Sequence, residues 1–89
     1  MKTVHIVIKG KVQGVFFRAS AKEIAERLGL VGWVKNTRQG DVEALITGSK
    51  EAVAQFIGWC KKGPSRAHVS EVVTAEKDLE NFSSFTIIR

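Results

Sequence analysis

Apolar and polar residues alternate at the start of the chain and predict its first strand. Val4, Ile6 and Ile8 fall at every second position, the pattern of a strand with one buried face. A glycine-punctuated loop follows at 10–14, and the apolar spacing then changes to the i, i+3, i+4, i+7 pattern of an amphipathic helix. That stripe consists of Ala21, Ile24, Ala25 and Leu28, and Ser20 with Glu23 predicts a capping box at the helix start.

The remaining pattern predicts a β-hairpin, a second helix and two further strands. The polar segment 36–40 joins two β-rich runs, which is typical of a hairpin. The predicted strands cover 31–35, 41–47, 69–76 and 85–88. The second helix begins at Gly48-Ser49 and ends at Gly63-Pro64, and its apolar stripe consists of Val53, Phe56, Ile57 and Cys60.

The order of these elements, β-α-β-β-α-β with a last short strand, predicts an α+β fold. It is the order of the ferredoxin-like α/β sandwich, in which two helices cover one face of an antiparallel sheet. The length of 89 residues suits a single domain that covers residues 1–89.

This topology predicts where a functional site can form. The first two strands are joined through a helix and should therefore run parallel, with the third strand between them. Their carboxyl ends then lie at one edge of the sheet, separated by two strand spacings, about 10 Å. We therefore expect the loop at 10–18 and the turn at 36–40 to face each other.

The charge of the chain favours an anionic ligand near its N-terminal half. The net charge is +5, and residues 1–40 hold eight basic and two acidic residues, whereas residues 70–89 hold two basic and four acidic ones. A nucleic acid, a membrane surface or a small anionic substrate would each suit this excess. No apolar run approaches the ~20 residues that span a bilayer, and no secretory signal is recognisable, so we expect a cytoplasmic protein.

The loop after the first strand is the first candidate site. It carries Gly10 and Gly14, contains no acidic residue, and leads to Arg18 near the start of the helix. Backbone N–H groups in such a loop can bind an anion, and a guanidinium adds bidentate contacts to phosphate oxygens. The alternative is a surface arginine beside a tight turn. Asn36, at the opposite turn, is either a turn former or a catalytic residue.

No other residues form a recognisable catalytic or metal-binding pattern. His5 and His68 are far apart in the sequence, and Asp41 with Glu43 is more typical of a solvated strand face. Cys60, the single cysteine, falls in an apolar helix stripe, which indicates a buried and inert thiol. We expect no metal and no cofactor.

Two segments together resemble the signatures of the acylphosphatase family. Residues 10–18 read Gly-Lys-Val-Gln-Gly-Val-Phe-Phe-Arg and resemble G-x-V-Q-G-V-x-F-R. Residues 32–43 resemble G-W-V-x-N-x-x-x-G-x-V-E, and the tail from Gly63-Pro64 to Phe85 and Ile87 fits as well. The resemblance implies a ferredoxin-like fold and hydrolysis of the carboxyl–phosphate bond of acyl phosphates.

The resemblance also implies the roles of individual residues. Arg18 and Asn36 would be catalytic, with Arg18 on the phosphoryl group and Asn36 on the attacking water. The loop amides that would hold the phosphoryl group belong to Gln13, Gly14, Val15, Phe16, Phe17 and Arg18. The expected partner is a small acyl phosphate, and inorganic phosphate or sulfate can occupy the same loop.

Two other functions remain open for a chain of this fold. RNA-recognition domains share the fold, but they stack bases on aromatic residues of the first and third strands, which have none here. A regulatory module without turnover is the second alternative, and the presence of both Arg18 and Asn36 argues against it. We expect a monomeric enzyme that binds neither nucleic acid nor a membrane.

Overall fold

The computed structural model describes all 89 residues and contains five strands and two helices. No helix is long and apolar enough to cross a membrane. In chain order the elements are β1 (Lys2–Lys11), α1 (Phe17–Arg27), β2 (Val31–Asn36), β3 (Val42–Gly48), α2 (Lys50–Lys62), β4 (His68–Lys77) and β5 (Phe85–Ile88). The predicted ferredoxin-like element order is confirmed.

The strands form one sheet in the order β4-β1-β3-β2-β5. Because β3 pairs antiparallel with both β1 and β2, those two strands run parallel to each other, as predicted. The predicted antiparallel sheet is confirmed for β1 to β4, whereas the short C-terminal strand β5 pairs parallel with β2 at one edge. The chain crosses from one edge of the sheet to the other after β4 and then turns back, which gives β5 the direction of β2.

Two threonines hold the segment that makes this crossing. The hydroxyl groups of Thr3 and Thr47 lie 2.6 Å apart, and both side chains are buried. The Glu80 backbone N–H donates to the Thr3 hydroxyl at 2.9 Å, and the Thr47 hydroxyl donates to the Glu80 carbonyl at 2.6 Å. These bonds fix the crossing segment at the end of β1 that lies away from the loop at 10–18.

The core lies between one face of the sheet and the two helices. Both predicted helix stripes contribute to it, although Ile24, Leu28 and Ile57 are only partly buried. Each fully buried aliphatic or phenyl side chain contributes about 1.5–3 kcal/mol to the stability of the fold. The largest fully buried side chains are Phe17, Phe56, Ile6, Ile8, Ile46, Val12, Val34, Val42 and Val53.

The start of α1 differs from the prediction. The helix begins at Phe17, and Phe16 occupies the N-cap position without a side-chain capping bond, so the capping box at Ser20 is wrong. The Ser20 backbone N–H instead donates to the Phe16 carbonyl at 3.1 Å, which starts the helical hydrogen bonds one turn earlier. The predicted start of α2 is confirmed, since the Ser49 hydroxyl accepts from the Ala52 N–H at 3.1 Å.

Candidate functional site

The loop between β1 and α1 turns sharply while its ends stay anchored in the core. Val12 and Val15 are 1% and 4% exposed, so the loop is fixed at two points. Gly14, between these two valines, and Phe16, after the second, have φ angles of 73° and 63°, in the left-handed region. These two residues bend the chain away from β1 and into the first turn of α1, which contains Arg18.

The backbone N–H groups along this bend are free to bind a ligand. None of the N–H groups of residues 13–19 donates to a backbone or side-chain acceptor of the protein. Those of residues 17–19 belong to the first turn of α1, where helical N–H groups have no partner within the helix. A run of free N–H groups at the positive end of a helix attracts an anion.

The Gln13 side chain connects this loop to the turn after β2. Its Nε2 donates to the Thr37 carbonyl at 2.8 Å and to the Asp41 carbonyl at 2.9 Å. The prediction that the loop at 10–18 faces the turn at 36–40 is therefore confirmed. Gln13 was predicted to contribute only its backbone N–H group, and this side-chain contact was not predicted.

A cavity of about 310 Å³ lies between the loop, α1 and the ends of β2 and β5. Arg18 and Arg89 line it, no acidic residue does, and neither guanidinium forms an ion pair with a carboxylate. The site is therefore electropositive without an internal counter-charge. The residues that line it are Val12, Gly14, Phe16, Phe17, Arg18, Ala19, Asn36, Ile87 and Arg89.

Asn36 lies at the end of β2 and lines the same cavity. Its amide makes no hydrogen bond to the protein, and the turn that follows is held by Thr37 instead. The Thr37 N–H donates to the Asp41 carbonyl at 2.9 Å, and the Thr37 hydroxyl accepts from the Asp41 N–H at 3.1 Å. Thr37, rather than Asn36, therefore holds the turn, and the Asn36 amide is available to a ligand.

Arg89 also lines the cavity and was not among the predicted residues. Ile88 of β5 pairs with Lys35 of β2, so the residues that follow this pair, Arg89 and Asn36, reach the same edge. The parallel pairing of β2 with β5 was the signal that could have identified Arg89, because parallel strands end at a common edge.

The other charged residues near the loop lie outside the cavity. Lys9 Nζ is 3.3 Å from Asp41 Oδ2, and Lys11 is exposed. His5 Nε2 is 2.6 Å from Glu43 Oε2, and Lys35 lies 3.7 Å from the same carboxylate. No three His, Cys, Asp or Glu side chains converge as metal ligands would.

The Cys60 thiol is buried in α2, as predicted. Burial raises its pKa to about 12, because desolvation disfavours the thiolate. The thiol is therefore protonated at neutral pH, and it is not a nucleophile of the site.

Comparisons with known proteins show the family of this chain. The family profile described as Acylphosphatase matches residues 4–87. An acylphosphatase of Thiobacillus denitrificans is 51% identical over 96% of this chain and 94% of its own.

Two solved structures are similar over nearly the whole fold. The acylphosphatase of Coxiella burnetii has a TM-score of 0.95 and 41% identity, and covers 98% of this chain and 92% of its own. The acylphosphatase of Bacillus subtilis has a TM-score of 0.97 and 34% identity, with 100% of each chain covered. The predicted family is confirmed: this chain belongs to the acylphosphatases, hydrolases that act on acyl phosphates.

Proposed function

We propose that this acylphosphatase cleaves its substrate in the cavity beside the loop at 13–18. The observation that carries the proposal is the run of free N–H groups in residues 13–19, next to two unpaired arginines and no acidic side chain. The amides of the loop and the Arg18 guanidinium hold the three non-bridging oxygens of the phosphoryl group. Phosphoryl transfer depends chiefly on such positioning and charge stabilisation.

Asn36 binds the attacking water. Its amide oxygen accepts a hydrogen bond from the water and orients a lone pair toward phosphorus, in line with the bond that breaks. The water oxygen forms the new P–O bond, and the bond between phosphorus and the acyl oxygen breaks. The electron pair of that bond leaves with the carboxylate.

No general acid is needed for this leaving group. A carboxylic acid has a pKa near ~4, so the carboxylate departs without protonation at neutral pH. Since no aspartate, glutamate or histidine side chain lines the cavity, the proton of the water passes to a phosphoryl oxygen of the substrate. The products are a carboxylate and inorganic phosphate.

The proposed enzyme is one domain over residues 1–89, acting as a monomer. A free, buried thiol at Cys60 is compatible with the reducing cytoplasm, where we place the protein. Inorganic phosphate or sulfate is expected to occupy the loop, because either anion presents the same oxygen geometry as the phosphoryl group.

Arg18→Gln tests the assignment, with Arg27→Gln as a matched control. Both arginines belong to α1, but Arg27 lies at its far end and pairs with Glu23 at 3.1 Å on the surface. We expect Arg18→Gln to lower kcat/KM for acetyl phosphate by about 100-fold or more, because it removes charge stabilisation of the transition state. Arg27→Gln should retain the wild-type rate. A folded Arg18→Gln protein within a few-fold of wild type would contradict the proposal.

A further inference from the structure

Part of the cavity lining is apolar and has no polar group to bind a phosphoryl group. Its volume of about 310 Å³ falls in the ~300–1,000 Å³ range of small-molecule sites. The free amides and the arginines provide the polar part, and five of the nine lining residues are hydrophobic. Once the phosphoryl group is held by the polar part, the apolar part is available to the acyl group of the substrate.

Phe16 is the member of that apolar lining with a free ring. Val12 and Phe17 are 1% and 2% exposed, so their side chains are already packed in the core, whereas Phe16 is 72% exposed. A phenyl ring this exposed gains little from packing within the protein. Its face is available to a molecule bound in the cavity.

The backbone conformation of Phe16 is unfavourable for a phenylalanine. Phe16 is the only residue other than glycine with a positive φ, 63°. The left-handed region disfavours residues with a Cβ, and glycine would adopt the same conformation without strain. Neither the backbone conformation nor core packing therefore accounts for a phenylalanine here.

We propose that Phe16 forms the acyl-group subsite and that the enzyme favours acyl phosphates with an aromatic or extended apolar acyl group over acetyl phosphate. The inference rests on the proposed function, because the loop amides and Arg18 must hold the phosphoryl group for the acyl group to reach the ring. Contacts between aromatic rings correspond to about a 2- to 12-fold gain in kcat/KM.

Benzoyl phosphate and acetyl phosphate test the subsite, because they share the phosphoryl group and differ in the acyl group. We expect Phe16→Gly to lower kcat/KM for benzoyl phosphate by about 2- to 12-fold more than kcat/KM for acetyl phosphate, so that the ratio of the two values falls. Phe16→Tyr should keep the wild-type ratio. Leu79→Ala is the matched control, since Leu79 is 60% exposed and lies outside the cavity, and it should change neither value.

An unchanged ratio in Phe16→Gly would overturn the inference and leave the proposed function intact. An equal fall for both substrates together with a lower melting temperature would show a structural role for Phe16 and would also overturn it. If wild type turned over neither substrate, the proposed function itself would fail. Should Phe16→Gly not fold, Phe16→Asn gives the same comparison, because asparagine tolerates the left-handed region and carries no ring.

Discussion

Gln13 and Thr37 join the two halves of the site. The Gln13 side-chain Nε2 lies 2.8 Å from the Thr37 carbonyl oxygen, although the two residues are 24 positions apart. Gln13 begins the loop that carries the free amides, and Thr37 follows Asn36, so this bond sets the distance between the loop and Asn36, to which we assign phosphate binding and water binding respectively. It therefore acts as a positioning contact for both.

Gln13→Glu should be more harmful than Gln13→Ala. The alanine variant loses two hydrogen bonds, but both carbonyls still accept one backbone bond: Thr37 from the Gly40 N–H, and Asp41 from the Thr37 N–H. We therefore expect the free energy of unfolding to fall by about 1–2 kcal/mol. The glutamate variant has nearly the same shape and turns carboxylate oxygens toward the same two carbonyls. Urea denaturation and kcat for acetyl phosphate measure both effects. Equal losses in the two variants would argue against the bond.

Asn36→Ala should separate catalysis from binding. If the amide orients water, its removal lowers kcat by about 100-fold or more while the inhibition constant of inorganic phosphate stays nearly constant. Circular dichroism should show a native fold, because Thr37 and not Asn36 holds the turn. A parallel loss of phosphate binding would instead place Asn36 on the phosphoryl group.

The pKa of Cys60 predicts a loss of stability at alkaline pH. Its value is raised from 9.0 to about 12 in the folded protein, so between those values the unfolded chain has lost the thiol proton and the folded chain has not. The free energy of unfolding therefore falls as pH rises through this window, by up to ~1.4 kcal/mol per pH unit.

Cys60→Ala isolates that contribution, because lysine titration is common to both proteins and the chain contains no tyrosine. We expect the stability difference between wild type and Cys60→Ala to shrink between pH 8 and pH 10, as measured by urea denaturation. Parallel pH profiles would contradict the raised pKa. Thiol reagents should likewise modify wild type only after it unfolds.

The fold was predictable because local pattern and chain connectivity agree. Val4, Ile6 and Ile8 alternate as a half-buried strand should, and all three are buried. The crossover through α1 then required β1 and β2 to run parallel. The pairing of β5 was not predictable in this way, since a four-residue apolar strand fits either edge and either direction until the Glu80 contacts fix the crossing segment.

The site was predictable only where residue type and topology coincide. Arg18 and Asn36 follow from the motif and from the common edge of β1 and β2. The start of α1 was mispredicted because Ser20 and Glu23 have the composition of a capping box. The helix instead begins after Phe16, which has a left-handed backbone conformation. Sequence patterns rarely indicate that conformation for phenylalanine. Arg89 depended on the pairing of β5 and was missed with it.

Activity should not depend on a metal ion. No acidic residue lines the cavity. Of the nearby carboxylates, Asp41 pairs with Lys9, and Glu43 contacts both His5 and Lys35. Hard cations require several oxygen ligands, which this cavity does not provide. We therefore expect the rate with acetyl phosphate to survive dialysis against EDTA and to gain nothing from added magnesium. Restoration by one specific ion would overturn the mechanism.

The enzyme should hydrolyse acyl phosphates and leave alkyl phosphate monoesters intact. The arginines and free amides of its cavity suit charge stabilisation of a phosphoryl group, but no histidine, aspartate or glutamate side chain lines the cavity to donate a proton. A carboxylate leaves unaided, whereas an alkoxide must be protonated as it departs, and alkyl monoesters are among the slowest esters to hydrolyse uncatalysed. We expect turnover of benzoyl phosphate and none detectable with glycerol phosphate, although glycerol phosphate and inorganic phosphate should both inhibit competitively at the loop. Comparable kcat/KM values for the two substrates would require an acid catalyst that the cavity lacks.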